Sequence, residues 1–376
     1  MMQYEIGFGS LAATALLAGH VTSAALAWPR SRRDNADSRP VPPIDLTVLR
    51  PLCGLETYSE ATLRTTFELE AKGIRVLFCV ANASDPVVPL VRQIIAEYPN
   101  ADAQLLIGNE QISANPKLNN LVKGWHQTMS AWVMFVDSNV MLPPDAVAQL
   151  INCWDERCGM VCSPPIGGLC TNLPAELEAT FLNGYQARWQ RAAARLGLGF
   201  AQGKVMFFRR DLLTRVGGLQ ALASEPAEDA AATKVVRAAG LSVRLVERPF
   251  GQPLGSKRLV EVWKRQLRWA QLRRATFPAF FYLEIMTSAV LPLLLLLLSL
   301  DLSGMPAFAL PLFLSVWYGS EMALTARCGW DQPARWLLLA LVRDVLIVPI
   351  WLTAIWRNKF EWQGHAMSVD DLGVVS

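Results

Sequence analysis

The sequence predicts an α/β domain built on a parallel sheet covered on both faces and bracketed by membrane-spanning helices. Three observations carry this expectation. Between residues 44 and 247, near-continuous apolar runs of strand length alternate with segments of helical spacing, the pattern of a parallel sheet buried on both sides. Charged residues are only 18% of the chain and hydrophobic residues 52%, whereas a soluble domain is about a quarter charged. Apolar stretches long enough to cross a bilayer stand near both ends.

Taken in order, residues 5–28 are mostly small or apolar, with one acid at the edge. No basic segment precedes this run and arginines follow it, so it reads as an uncleaved signal anchor with its N-terminus outside. The expected division is an anchor over 1–29, a proline-rich basic linker over 30–44 and an α/β domain over 45–255. Within that domain IDLTVLRPL (44–52), IRVLFCVAN (74–82), AQLLIG (103–108) and AWVMFVDSNV (131–140) read as strands. Residues 88–99 and 118–129 have helical spacing between them. Residues 175–200 read as helical and rich in aromatics and arginine, and 205–213 as a strand running into a turn. A helix over 227–240 has an acidic first turn and Gly240 as its stop, and a strand over 241–247 follows.

Residues 256–283 form a basic, aromatic amphipathic segment, a composition that favours a membrane interface. Apolar runs at 284–300, 306–325 and 336–356 then precede a tail over 357–376. The loop DLSGM lacks Lys and Arg and suits the outside; Arg327 and Arg335 suit the inside. Arg357 and Lys359 fit poorly outside, so the last run is expected either to span or to be re-entrant or interfacial. Arg343-Asp344 inside it reads as a structural ion pair. The net charge of +3 gives no basis for a nucleic-acid partner. Seven cysteines, odd in number and without a C-x-x-C pair, point to reduced thiols in a cytoplasm-facing domain.

Four features carry chemistry. Asp85 follows a strand in ANASDP, where turn formation and ligand contact are equally good readings. Asp137 ends an apolar strand, where a carboxylate must be solvated, hydrogen-bonded or metal-bound. Asp137 and Asn139 point the same way if the strand continues, and such oxygens suit Mg²⁺ or Mn²⁺ bridging to a diphosphate. Glu228-Asp229 opens a helix, either to compensate its dipole or to supply Asp229 as a general base. Arg265 and Arg268 lie three apart on one helical face beside Trp269, as a membrane-flanking basic patch or as a phosphate and sugar contact.

These features occur in a fixed order, and that order resembles the membrane-bound, family-two-like glycosyltransferases of GT-A fold, whose marks are D, DxD, ED and (Q/R)xxRW. The resemblance is closest to the ceramide glucosyltransferase family, in its bacterial branch. It rests on TVLRPLCGLET (47–57), ANPKLNNLVKG (114–124), VDSNV (136–140), VCSPPIGG (161–168), FAQGKVMFFRRDLL (200–213), AEDAAATK (227–234) and RQLRWAQLRR (265–274). It implies a Rossmann-like nucleotide-diphospho-sugar transferase domain in the cytoplasm, held in a bacterial inner membrane.

By the same resemblance Asp85 and Lys117 bind the nucleotide, Asp137 holds the divalent metal and diphosphate, and Asn139 stands where the second acid of DxD would be. Asp229 is the base, and Arg265, Arg268 and Trp269 close over diphosphate and acceptor. The implied reaction is an inverting transfer of glucose or a related hexose from a UDP-sugar to the primary hydroxyl of ceramide. Transfer of N-acetylglucosamine to a hopanoid, and a non-catalytic membrane binding module, stand as alternatives.

Overall fold

The computed structural model describes residues 2–30, 43–303, 308–362 and 365–368. Most of the expected linker, part of the loop after the 284–300 run and the end of the tail lie outside these residues. The chain divides into two compact units. The first holds residues 1–30, 170–192 and 256–358; the second holds 31–169, 193–255 and 359–376. Residues 170–192, which the sequence reading places inside the catalytic domain, therefore belong with the helical unit.

In the second unit the chain-ordered strands are β1 Leu46–Leu52, β2 Ile74–Val80, β3 Asp102–Ile107, β4 Trp132–Val136 and β5 Cys158–Cys162. They continue with β6 Ile166–Cys170, β7 Val205–Arg209, β8 Ser242–Leu245 and β9 Gly251–Gly255. Seven of them form one sheet in the order β3-β2-β1-β4-β7-β5-β8, and β6 pairs with β9 separately. All seven residues of β1 are buried, which is why its sequence reads as a continuous apolar run rather than an alternating one. Alternate residues nonetheless go to opposite faces. Leu49, Leu77 and Phe135 pack with Leu118, Leu121 and Trp125 from the helix Pro116–Gln127 on one face. Leu46, Val48, Met134 and Val136 pack with Val147 and Leu150 from the helix Ala146–Asn152 on the other.

The sheet departs from the expected all-parallel arrangement at β7. β1 pairs parallel with β2 and β4, and β2 parallel with β3, but β7 runs antiparallel to both β4 and β5. The local cause is a meeting of chain ends. The Asp137 N–H, just past the end of β4, donates to the Lys204 carbonyl at 2.9 Å, just before the start of β7. Two strands joined at such a point can only run in opposite directions. Apolar composition alone does not reveal this, because β4 and β7 are both buried on both faces.

The first unit is helical. Two of its helices, Gly9–Ala27 and Trp336–Trp356, are long and apolar enough to cross a membrane. Pro278–Thr287 and Val290–Ser299 pass only as a pair, bent by 49° at their break. The expected span over 306–325 is the helix Ala309–Cys328, which carries Glu321 and Arg327 and does not reach the same standard of length and apolarity. Around Glu321 the unit buries a charged network. Arg343 donates to Glu321 Oε2 at 2.9 Å and to Asp344 Oδ1 at 2.8 Å, and Arg188 lies 3.5 Å from Glu321 Oε1. Arg188 also donates to Ser23 Oγ at 2.7 Å, while Tyr318 donates to Asp344 Oδ2 at 3.0 Å. Arg343-Asp344 is thus an ion pair, as expected, but within a larger set.

The predicted helix over 175–200 contains a π-helical stretch, Phe181–Ala187, between α-helices Leu173–Thr180 and Arg188–Arg195. Gly184 lies in this stretch for want of space. A Cβ there would stand 2.8 Å from Arg343 Nη1, 2.9 Å from Glu321 Oε2 and 2.9 Å from the Trp336 ring. The wider turn and the missing side chain let the backbone approach the buried charges.

Candidate active site

The polar side chains of the second unit gather at the carboxyl ends of its parallel strands, where sheets of this kind bind ligands. Asn120 marks the edge, donating to the last carbonyl of β1, Leu52, at 3.2 Å and to Cys79 O in β2 at 2.8 Å. Asp137 follows the last residue of β4. Its loop is fixed from below by Arg50, a fully buried guanidinium on β1. Arg50 donates to the carbonyls of Asp137, Ser138 and Val140 at 3.0, 3.2 and 3.0 Å. Its other amino group donates to Thr62 O at 2.8 Å and Thr66 Oγ1 at 2.6 Å. A planar donor set satisfied on several sides holds the loop in one conformation.

Above this base the Asp137 carboxylate meets two ammonium groups. Lys117 Nζ is 2.6 Å from Oδ1, and Lys204 Nζ is 2.9 Å from Oδ2. Lys204 also donates to Asn139 Oδ1 at 3.2 Å. Lys117 stands at the start of the helix Pro116–Gln127, whose first amides donate to the Asn115 side chain. Its ammonium reaches Glu228 Oε1 at 2.6 Å and donates to Gly203 O at 2.6 Å, and Asn115 Nδ2 donates to Glu228 Oε2 at 2.8 Å. Burial would raise the Asp137 pKa, but Lys117 and Lys204 outweigh it and hold the carboxyl down at about 2.

Asp229 is in the opposite state. Its Oδ2 accepts from the Gly203 N–H at 2.7 Å and its Oδ1 from Ala230 N–H at 2.8 Å. Burial, and then the neighbouring Glu228 carboxylate, push its pKa up to about 7 against the opposing pull of Lys117 and these amides. Two acids on one site thus have pKa values driven apart, which leaves Asp229 and not Asp137 able to exchange a proton near neutral pH. Gly203 lets the backbone pass close to Glu228 and Lys117. A Cβ there would be 2.7 Å from Glu228 Oε1 and 3.0 Å from Lys117 Nζ. If Asp229 acts as a base, kcat/KM rises with pH as its carboxylate forms, levels off above about 7 and falls roughly tenfold per unit below. A pH–rate profile checks this. A midpoint near the ordinary carboxylate value of about 4 would remove the assignment.

Of the residues singled out in the sequence, Lys117, Asp137, Asn139 and Asp229 are joined through these contacts. Asp85 is tied elsewhere. Its carboxylate accepts from Gly54 N–H at 3.0 Å and from Val87 N–H at 2.9 Å, so the turn chemistry is present, at the loops after β1 and β2. Arg265, Arg268 and Trp269 lie on the helix Leu259–Thr276 of the first unit. Arg265 donates to the buried Glu178 at 2.6 Å. Lys204, Glu228, Gly203 and Arg50 were not assigned a site role from the sequence. The signal for Lys204 was the Gly-Lys pair ahead of an apolar strand, legible only once that strand's direction is known.

The oxygens of this cluster are a poor match for a divalent ion. Such an ion takes several hard oxygens. Asp137 offers one carboxylate, each oxygen of which already carries an ammonium, and Asn139 gives its amide oxygen to the same Lys204. Among the described residues no group of three His, Cys, Asp or Glu side chains is placed to hold a metal. As arranged, these residues do not form a divalent-ion cage.

A sequence model described as glycosyl transferase family 21 matches residues 9–375. The chain is similar to Ceramide glucosyltransferase 1 of Caenorhabditis elegans, 23% identical over 337 residues, covering 85% of this chain and 72% of that one. It is also similar to Ceramide glucosyltransferase 3 of the same organism, at 20% identity over 328 residues, with 85% and 72% covered. Among solved structures it resembles the mannosyltransferase PcManGT from Pyrobaculum calidifontis, in complex with GDP-Man and Mn²⁺. That likeness has a TM-score of 0.50 at 18% identity and covers 90% of this chain and 99% of the other. The fold they share is the GT-A glycosyltransferase fold.

Proposed function

The chain belongs to glycosyl transferase family 21, and from that membership we propose that it moves a hexose from a UDP-sugar to the primary hydroxyl of ceramide with inversion. The observation that carries the reading is Asp229, buried, held by the Gly203 N–H and raised to about 7 beside a permanently charged Asp137–lysine pair. A base of that pKa is unprotonated for a useful fraction of the time at neutral pH and still attracts a proton.

In the proposed reaction Asp229 accepts the proton of the lipid hydroxyl as its oxygen attacks the anomeric carbon. The bond to the diphosphate breaks and UDP leaves with the electron pair. Asp85 contacts the nucleoside and Lys117 faces the donor. The Mg²⁺ or Mn²⁺ expected from the resemblance does not fit the oxygens of Asp137 and Asn139, which already face Lys117 and Lys204. The donor is water-soluble and the acceptor's chains remain in lipid. The two apolar helices of sufficient length fit an integral membrane protein, here assigned to a bacterial inner membrane with its catalytic domain cytoplasmic.

The test is to incubate membranes containing the protein with separate radiolabelled UDP-hexoses and with ceramide or a hopanoid, then resolve the lipid products. A labelled β-hexosylceramide is expected. Labelled hopanoid alone would overturn the acceptor, and the α-anomer would overturn inversion.

A further inference from the structure

Lys204 takes the place a chelated cation would take between the side chains of an Asp-x-Asn pair. Its ammonium is 2.9 Å from Asp137 Oδ2 and 3.2 Å from Asn139 Oδ1, so one charge bridges residues two apart on the same side of the loop. The position is built rather than accidental. The Lys204 carbonyl accepts from the Asp137 N–H at 2.9 Å, so the two residues are tied by backbone as well as side chain, and β7 begins at the next residue in register with the end of β4. The lysine side chain is only 13% exposed.

Charge counting points the same way. A full Asp-x-Asp presents two negative charges, which match a divalent ion. With Asn139 in the second place the pair presents one, which a single ammonium neutralises. The second ammonium, Lys117, is shared between Asp137 and Glu228. Together they set two cationic groups at the strand ends where the diphosphate of a nucleotide would lie.

We propose that Lys204, seated between Asp137 and Asn139 and seconded by Lys117, binds the donor diphosphate in the role a divalent ion fills elsewhere, so that donor binding is independent of added metal. This rests on the donor reading made above. A lysine ammonium binds phosphate as a point charge, and it stabilises the leaving diphosphate without needing a metal ligand set.

The experiment uses the full chain, purified in detergent and treated with EDTA, with UDP as the probe in calorimetry. UDP is expected to bind with the same Kd, within about twofold, in EDTA and in added Mn²⁺. Lys204→Met is expected to weaken UDP by roughly 10- to 100-fold, the usual loss for a hydrogen bond to a charged group, and Lys204→Arg to restore most of it. Uridine, which lacks the phosphates, should bind both forms alike.

Asn139→Asp provides a second arm. By restoring the second charge, it is expected to make UDP binding weaker in EDTA and recoverable with Mn²⁺. A wild-type Kd at least tenfold weaker in EDTA, or a folded Lys204→Met that binds UDP as the parent does, overturns the lysine assignment and leaves the donor reading standing. Failure of the wild type to bind UDP under either condition overturns both.

Discussion

Asp229→Asn is expected to lower kcat about 10²- to 10⁴-fold, the range general-base catalysis supplies, while UDP binds nearly as well as before. The substitution is almost isosteric. The amide oxygen can still accept from the Gly203 N–H, now 2.7 Å from Asp229 Oδ2, so the 203–204 segment keeps its place. What disappears is a group able to take a proton. If Asp229 is the base, the low-pH limb of kcat/KM should vanish with it. Glu228→Gln separates the roles: Glu228 is buried and engaged by Lys117 and Asn115, so its loss should disturb the site's shape and UDP affinity as well as the rate. Single-turnover rates and calorimetry on both variants decide the matter. Parental activity in Asp229→Asn would end its assignment as base.

Arg343→Met should cost about 3–5 kcal/mol of stability, the usual penalty for removing one partner from a buried ionic set. Arg343 is fully buried and joins Glu321 on one helix to Asp344 on another. Without it, Glu321 retains Arg188 at 3.5 Å and Asp344 retains the hydrogen bonds from Tyr318 and Ala289, too little for two buried carboxylates. Thermal unfolding of the detergent-purified protein measures the loss. Adding Asp344→Asn should recover part of it, because the second substitution removes the charge the first leaves exposed to low dielectric. An unchanged midpoint in Arg343→Met would show the network to be energetically idle.

Much of this architecture was readable from local pattern. The continuous apolar runs ending at Leu52, Val80 and Val136 are strands, and the helix after the acidic pair runs Glu228–Ala238 with Gly240 following at a φ of +73°. Both follow from period and from residue type, which act within a few neighbours. The carboxylates at strand ends were legible for the same reason, since an acid after an apolar strand needs a partner whatever the fold. Other features depended on partners distant in the chain. Arg50 reads as a stray charge in a strand, and its acceptors lie up to 90 residues away. Glu321 makes the helix around it a poorer membrane span than its apolar run promised, yet its cation partners come from Arg188 and Arg343.

The sequence alone determined which residues are acids at strand ends, that apolar helices lie near both ends of the chain and what order the motifs follow, because these are properties of short stretches of chain. The tertiary structure decided the direction of β7, and with it the arrival of Lys204 at Asp137. It also decided that Asp229 holds its proton up to about neutral pH whereas Asp137 has lost its own far below that. Those outcomes depend on burial and on charges brought together from 67 residues apart, and electrostatic energy follows distance in space, not separation in sequence.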